Sequence, residues 1–389
     1  FYFLGQTQMA QNKLPEAKTS MTRASELQPG WYLPHLGLAQ LHVASGNNDL
    51  ALDETSKVLA VQPTNETALM ISGAARAKKG ETDKALELFK QAQQANPKST
   101  AARFNIASVY AIKKQYAEAL AQYEEVLKVA PESVEALGAM AQVNIAQGNP
   151  KAAIARLEQA LKTSKQPAAI NQLLGQVSLS VKDYAKAIEY LEKAINQNPA
   201  LISAYYLIGN AYAAQNRFDV ALGQYQKVVE KNPKAIPGHM MIGTLYDLQK
   251  QPQKANEAYQ KVLDIDKTFA PAANNLAWNY AEHGGNLDIA LTLAQKAMEI
   301  QPNNPAIADT LGWIYLKKKN YTGAISLFQE SSEKFKDNNP TILYHLALAH
   351  DKNGDEERAR QALRKALGLK TEFAEAAEAK KMFASLGGK

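Results

Sequence analysis

The stretch Tyr205-Tyr206-Leu207-Ile208-Gly209-Asn210-Ala211-Tyr212, followed by Ala221, Tyr225 and Pro233, decides the fold. Tyr205, Ile208 and Tyr212 are separated by three and four residues, and Ala221 and Tyr225 by four. Those spacings are helical and do not alternate as a strand would. Pro233 closes the block, because the residue before a proline is steered away from helical geometry. The block therefore reads as two helices joined by a turn.

The same block repeats along the chain. Pro29, Pro63, Pro97 and Pro131 each lie 34 residues after the last; Lys165 fills the next slot, and Pro199, Pro233, Lys267 and Pro302 continue the series. The last step is 35, and the turn His283-Gly284-Gly285-Asn286 carries the extra residue. A small residue recurs in phase at Gly5, Ala39, Gly73, Ala107, Ala141, Gly175, Gly209, Gly243, Ala277, Gly312 and Ala347. A second series is alanine throughout: Ala17, Ala51, Ala85, Ala119, Ala153, Ala187, Ala221, Ala255, Ala290, Ala324 and Ala359. A period of this size marks a repeat array and must be read before any domain division.

Two tiny side chains per unit predict a place where two helix backbones approach closely. A larger residue there would overpack the contact at a cost of about 1–3 kcal/mol. Large residues flank it: the position before the first small residue is Leu4, Leu38, Ile106, Met140, Leu174, Ile208, Ile242, Leu276, Leu311 or Leu346, with Ser72 the exception. Four residues past the alanine stands Phe89, Tyr123, Leu157, Leu191, Tyr225, Tyr259 or Phe328. Turns such as Gly46-Asn47-Asn48 and Lys79-Gly80-Glu81 stop the first helix of each pair.

This pattern resembles the tetratricopeptide repeat, whose aromatic, Leu-Gly, Tyr, Ala, Phe and Pro positions are met by Tyr205, Ile208-Gly209, Tyr212, Ala221, Tyr225 and Pro233. Leu311-Gly312, Tyr315, Ala324 and Phe328 meet it again. Lys165, Lys267, Lys336 and Thr371 depart from it at the proline, and His42, Arg76 and Asn144 at the tyrosine. The resemblance implies an all-α, right-handed superhelical solenoid of about eleven helical hairpins over residues 1–371. Residues 372–389 then form a capping helix and tail, the helix placed over 372–386, with Lys381 where a small residue would be needed to continue the array. Phe1 falls at the fourth position of its unit, so the chain is expected to be a segment or a trimmed product.

In this family the first helices of successive units line the concave face, where partner peptides lie. By that resemblance the groove is read three residues before and one after the small residue. The C-terminal half then offers Tyr206, Asn210, Met240, Thr244, Asn274, Trp278, Asp309, Trp313 and Tyr344 as partner-binding residues. Amides beside large aromatics suit an extended chain, pairing with its backbone and covering its apolar groups. The equivalent N-terminal positions, among them Gln40, Met70 and Ala74, are blander. Aromatics at helical spacing ordinarily serve packing between units. Trp278 and Trp313, at matching places in adjacent units, are singled out as a two-rung ladder for a ligand.

Composition excludes several classes of function. Hydrophobic residues make up 46% and charged residues 21%, too apolar a mixture for a disordered chain. There are no cysteines, so neither disulfides nor thiolate metal sites are available. No apolar run approaches the roughly 18 residues of a spanning helix. No metalloprotease, P-loop, nucleophile-elbow or dinucleotide motif is present. His345 and His350 are five apart and point to different helix faces, a poor metal pair. Neither catalytic residues nor a cofactor or metal is expected. A net charge of +6 is mild, and Lys113-Lys114 and Lys317-Lys318-Lys319 end first helices, where cations complement the helix dipole. A nucleic-acid partner is therefore not expected.

The wording Asn274-Asn275-Leu276-Ala277-Trp278 and Ala308-Asp309-Thr310-Leu311-Gly312-Trp313-Ile314-Tyr315 is similar to bacterial envelope lipoproteins of exopolysaccharide and exosortase-linked clusters (PrsT-like). That likeness implies a non-enzymatic scaffold for protein or peptide partners in the cell envelope or periplasm, with a lipid anchor upstream of Phe1. The alternatives are the targeting arm of a larger enzyme such as a glycosyltransferase, a self-assembling structural array, and a cytoplasmic location.

Overall fold

The computed structural model describes residues 1–336, 338–369 and 371–388, so Asp337 and Lys370 inside the expected array and Lys389 at the end of the expected tail lie outside the described residues. Twenty-three α-helices and no strand occur among the described residues. The chain divides into two compact units, residues 1–207 and 208–389, with the division falling inside the helix Ile202–Ala213.

In the first unit, six first helices (Tyr2–Ala10, Tyr32–Ala44, Glu66–Lys78, Thr100–Ile112, Val134–Ala146 and Pro167–Ser180) alternate with six second helices that end with Tyr184–Gln197. Each first helix packs on its own second helix, and that second helix packs on the next first helix. In the second unit the first helices are Ile236–Leu248, Ala270–Glu282, Pro305–Lys317 and Pro340–Lys352. Their second helices are Pro252–Ile265, Leu287–Ile300, Tyr321–Lys334 and Glu356–Gly368. First helices of neighbouring hairpins also touch one another, Ala270–Glu282 against Pro305–Lys317 and the latter against Pro340–Lys352. One face of this unit is thus built mainly of first helices.

Every alanine of the all-alanine series is buried, none more than 2% exposed. The glycines of the other series, however, have a larger side chain as their nearest neighbour, although a Cβ on Gly175 would also come within 3.3 Å of the Ala187 carbonyl oxygen. A Cβ placed on Gly73 would lie 2.4 Å from the Phe89 ring, on Gly209 2.6 Å from Tyr225, on Gly243 2.5 Å from Tyr259 and on Gly312 2.8 Å from Phe328. The small residue is needed because a large side chain from the second helix, a ring in these four hairpins and Leu191 opposite Gly175, lies against the first. The close approach expected between the two series is seen where Gly175 lies over the Ala187 carbonyl, and the glycine in addition makes room for a large side chain that the sequence did not name. Gly73→Ala is expected to destabilise the first unit by about 1–3 kcal/mol, because Phe89 is buried and its ring has nowhere to swing. Urea denaturation followed by circular dichroism measures it, and an unchanged midpoint would refute this account of the glycine.

The turn inside each hairpin needs one left-handed residue. Glycine fills it at Gly46, Gly80, Gly148, Gly284 and Gly354, but Asn12, Lys114, Lys182, Asn216, Lys250 and Lys319 do so elsewhere, with φ between 57° and 64°. Only glycine takes this geometry freely, so the recurrence reflects a turn fixed by the packing of its two helices. Three lysines that end first helices beside these turns are tied to acids one unit earlier. Lys113 reaches Asp83 and Lys318 reaches Asp288, both at 2.5 Å, and Lys79 pairs with Asp49. These pairs are exposed and contribute little energy.

Two sequence expectations shift at the ends. Leu4 is 51% exposed, because no hairpin packs on its outer side among the described residues. The last helix spans Ala376–Ser385 and is preceded by a turn at Ala374-Glu375. Its Ala379 is buried against Leu363, and Lys381 is exposed.

Candidate functional site

The first-helix face of the second unit holds a groove of about 790 Å³. Its walls come from four successive hairpins: Thr244 and Asp247 on the first, Asn274, Trp278 and Asn279 on the next, then Asp309 and Thr310, then Ile342 and His345. These helices run from proline-assisted starts at Pro237, Pro271, Pro305 and Pro340, where a missing N–H costs nothing. Asn304 and Asn339 cap the last two with side-chain oxygens.

At one end, Tyr259 is fully buried in the second helix Pro252–Ile265 and its hydroxyl donates to Asp247 Oδ2 at 2.6 Å. Asn279 Nδ2 donates to the other Asp247 oxygen at 2.7 Å. Burial first, and the Asp247 carboxylate second, push the Tyr259 phenol far above its ordinary value. It therefore stays a donor at physiological pH. At the other end, His345 is 2% exposed and its Nδ1 lies 2.9 Å from Asp309 Oδ1. The His345 ring packs on Trp313 at 4.4 Å between centroids, and Trp278 stacks on Trp313 at 5.9 Å with 29° between planes.

The nine residues picked from the sequence do not all meet here. Thr244, Asn274, Trp278 and Asp309 line the groove. Trp313 lies outside its lining: its indole N–H donates to Glu282, whose carboxylate also takes Lys317 Nζ at 3.0 Å, and Lys317 sits over the ring at 5.1 Å. Met240 packs into the core around Tyr259 and Leu276. Tyr344 is buried against Leu363 and Ala379. Asn210 accepts the Tyr225 hydroxyl at 2.6 Å. Tyr206 belongs to the first unit, half-buried in its own helix.

Sequence reading missed His345, Asn275, Thr310, Asp247 and Asn279. The first three share one column, two before the small residue. Apart from Asn105 it is apolar at Ile71, Ala139, Leu173, Leu207 and Met241, then polar in three successive units at Asn275, Thr310 and His345. That change of character was the available signal. In the first unit, the corresponding face offers a shallower, largely apolar hollow of about 310 Å³ around Met70, Ile71 and Ala74.

Among the described residues, no group of three His, Cys, Asp or Glu side chains could hold a metal, and no helix is long and apolar enough to cross a membrane. His42 and His350, in the tyrosine slot of their units, are buried.

Models of the tetratricopeptide repeat match residues 36–100, 139–201 and 310–378, and related models of the same repeat match 97–166, 178–243 and 236–269. No curated protein sequence matches the chain. Among solved structures, the APC/C hetero-tetramer Cut9–Hcn1 is similar with a TM-score of 0.52 and 13% identity, covering 98% of this chain and 95% of that one. Yeast Tom70 aligns with a TM-score of 0.45 and 13% identity over 99% of this chain and 94% of its own. YrrB, a tetratricopeptide repeat protein with an unusual peptide-binding site, aligns with a TM-score of 0.41 and 22% identity over 50% of this chain and 100% of its own. At these identities the Cut9–Hcn1 likeness is one of fold.

Proposed function

We propose that this chain, which belongs to the tetratricopeptide repeat family, is a non-enzymatic scaffold that holds a partner polypeptide in the groove of its second unit. The observation that carries this reading is the groove itself: four successive first helices give it amides, carboxylates and an aromatic wall, spaced along the direction an extended chain would run. Planar amides pair with peptide groups, and a broad ring covers apolar side chains at small entropic cost. We place the scaffold in a bacterial cell-envelope export or assembly system, exopolysaccharide secretion or surface-protein sorting. The support for that placement is the wording around Trp278 and Trp313.

A photo-crosslinking side chain tests the scaffold. Placed at Lys250, on the groove rim, it is expected to give a protease-sensitive adduct in the native cell. Placed at the exposed Lys296 of the second helix Leu287–Ile300, it is expected to give none. Equal adducts from both positions, or none from Lys250, would remove the groove from the mechanism.

A further inference from the structure

Inside the groove several hydrogen-bond donors are already committed. Thr244 and Thr310 hydroxyls donate to the Met240 and Ala306 carbonyls of their own helices, at 3.0 and 3.1 Å. Tyr259 and Asn279 both donate to Asp247. His345 turns Nδ1 towards one oxygen of Asp309. Two acceptors are left over. Asp309 keeps its second oxygen, and Asn274 Oδ1 is buried with no partner while its Nδ2 points at Asn275 Oδ1, 3.4 Å away. A buried acceptor without a donor costs roughly 1–3 kcal/mol, and a ligand that supplies N–H groups recovers it once the Asn274 amide turns its closed-off oxygen into the groove.

Charge and ring geometry narrow the ligand further. The titratable groups on the lining are Asp247, Asp309, Lys250, Tyr259, His283 and His345. Lys250 is exposed at the rim, whereas the Asp309 side chain is only 15% exposed. The interior is therefore acidic and the cation stands at its mouth. Trp278 lines the same interior, and an indole face attracts a cation, the more so when water is excluded.

We infer that the groove takes an arginine or lysine side chain of its extended partner, with the N–H groups on Asp309 and Asn274 and the charge against Trp278. This rests on the peptide-groove reading above. A guanidinium suits the site better than an ammonium, since its fixed fork of donors can serve two acceptors at once.

A phage-displayed library of random nonapeptides, panned on the full chain, tests both layers. The expected winners share one fixed basic position. In a synthetic winner, replacing that arginine by citrulline, which keeps shape and loses charge, is expected to weaken binding about tenfold. With Asp309→Asn the arginine and citrulline peptides should bind within about twofold of each other, and Asn274→Ala should weaken the arginine peptide several-fold at unchanged helicity. Winners without a basic position, citrulline equal to arginine, or indifference to both substitutions would overturn the inference and leave the peptide groove standing. No enriched peptide at all would overturn the groove reading with it.

Discussion

Tyr259→Ala lowers the unfolding free energy of the second unit by about 3–5 kcal/mol, the cost of deleting a buried ring. The ring is fully buried and closes over Gly243, where a Cβ would meet it at 2.5 Å. Removing it opens a void between the helices Ile236–Leu248 and Pro252–Ile265, in the same cluster that holds Val262, Leu276 and Ile307. Asp247 also loses one of its two donors, keeping only Asn279. Tyr259→Phe separates the two contributions: it keeps the packing, removes the hydroxyl and costs about 1–2 kcal/mol. Because a repeat array is stabilised by nearest neighbours, the loss spreads to the hairpin that follows. Urea titrations of both variants by circular dichroism give the numbers. A cost below about 1 kcal/mol for the alanine variant would show that the hairpin is held together without this ring, against the cavity cost a buried aromatic normally carries.

The array was legible because its cause is geometric and strictly periodic. Close helix approach demands alanine at one phase, and a large side chain lying against the first helix demands glycine or alanine at another, so both series stand out in a single sequence. What the glycine faces was not legible. A small residue announces a close neighbour without identifying it, and Phe89, Tyr225, Tyr259 and Phe328 are known as that neighbour only from the structure. The left-handed turns at Lys114, Lys182, Lys250 and Lys319 were hidden for the opposite reason: lysine has no preference for that geometry and is held there by the helices on either side. The division between residues 207 and 208 carries no mark either, since it falls within a helix whose motif positions are intact.

The groove was half legible. Reading two positions per helix found Thr244, Asn274, Trp278 and Asp309, and passed over the column of Asn275, Thr310 and His345. On a helix the residues three and four apart share a face, so Asn274 brings Trp278 with it, while Asn275 flanks Asn274 and extends the stripe sideways to Asn279. His345 was read only against His350, on its own helix; its partner is Asp309, 36 residues away on another.

The two tryptophans, alike in sequence, are expected to separate under mutation. Trp313 is fastened from three sides, by Glu282 on its indole N–H, by Lys317 over its face and by the His345 ring 4.4 Å away. Its lining neighbour Trp278 meets the groove. Trp313→Ala should therefore cost about 3 kcal/mol of stability, because it removes a packed ring and leaves His345 uncovered. Trp278→Ala should cost less than about 1.5 kcal/mol of stability, the worth of its stacking on Trp313. Its effect on a bound polypeptide should be larger, about tenfold to a hundredfold in affinity, as for an aromatic anchor at the centre of an interface. The double variant should fall short of the sum in stability by about 0.5–1.5 kcal/mol, because the rings touch. Denaturation midpoints give one axis, and affinity for a library-selected peptide, corrected for folded fraction, gives the other. If Trp278→Ala instead destabilises as much as Trp313→Ala while folded molecules bind as before, both rings belong to the packing between hairpins, and the ligand must be sought along the amide and carboxylate stripe alone.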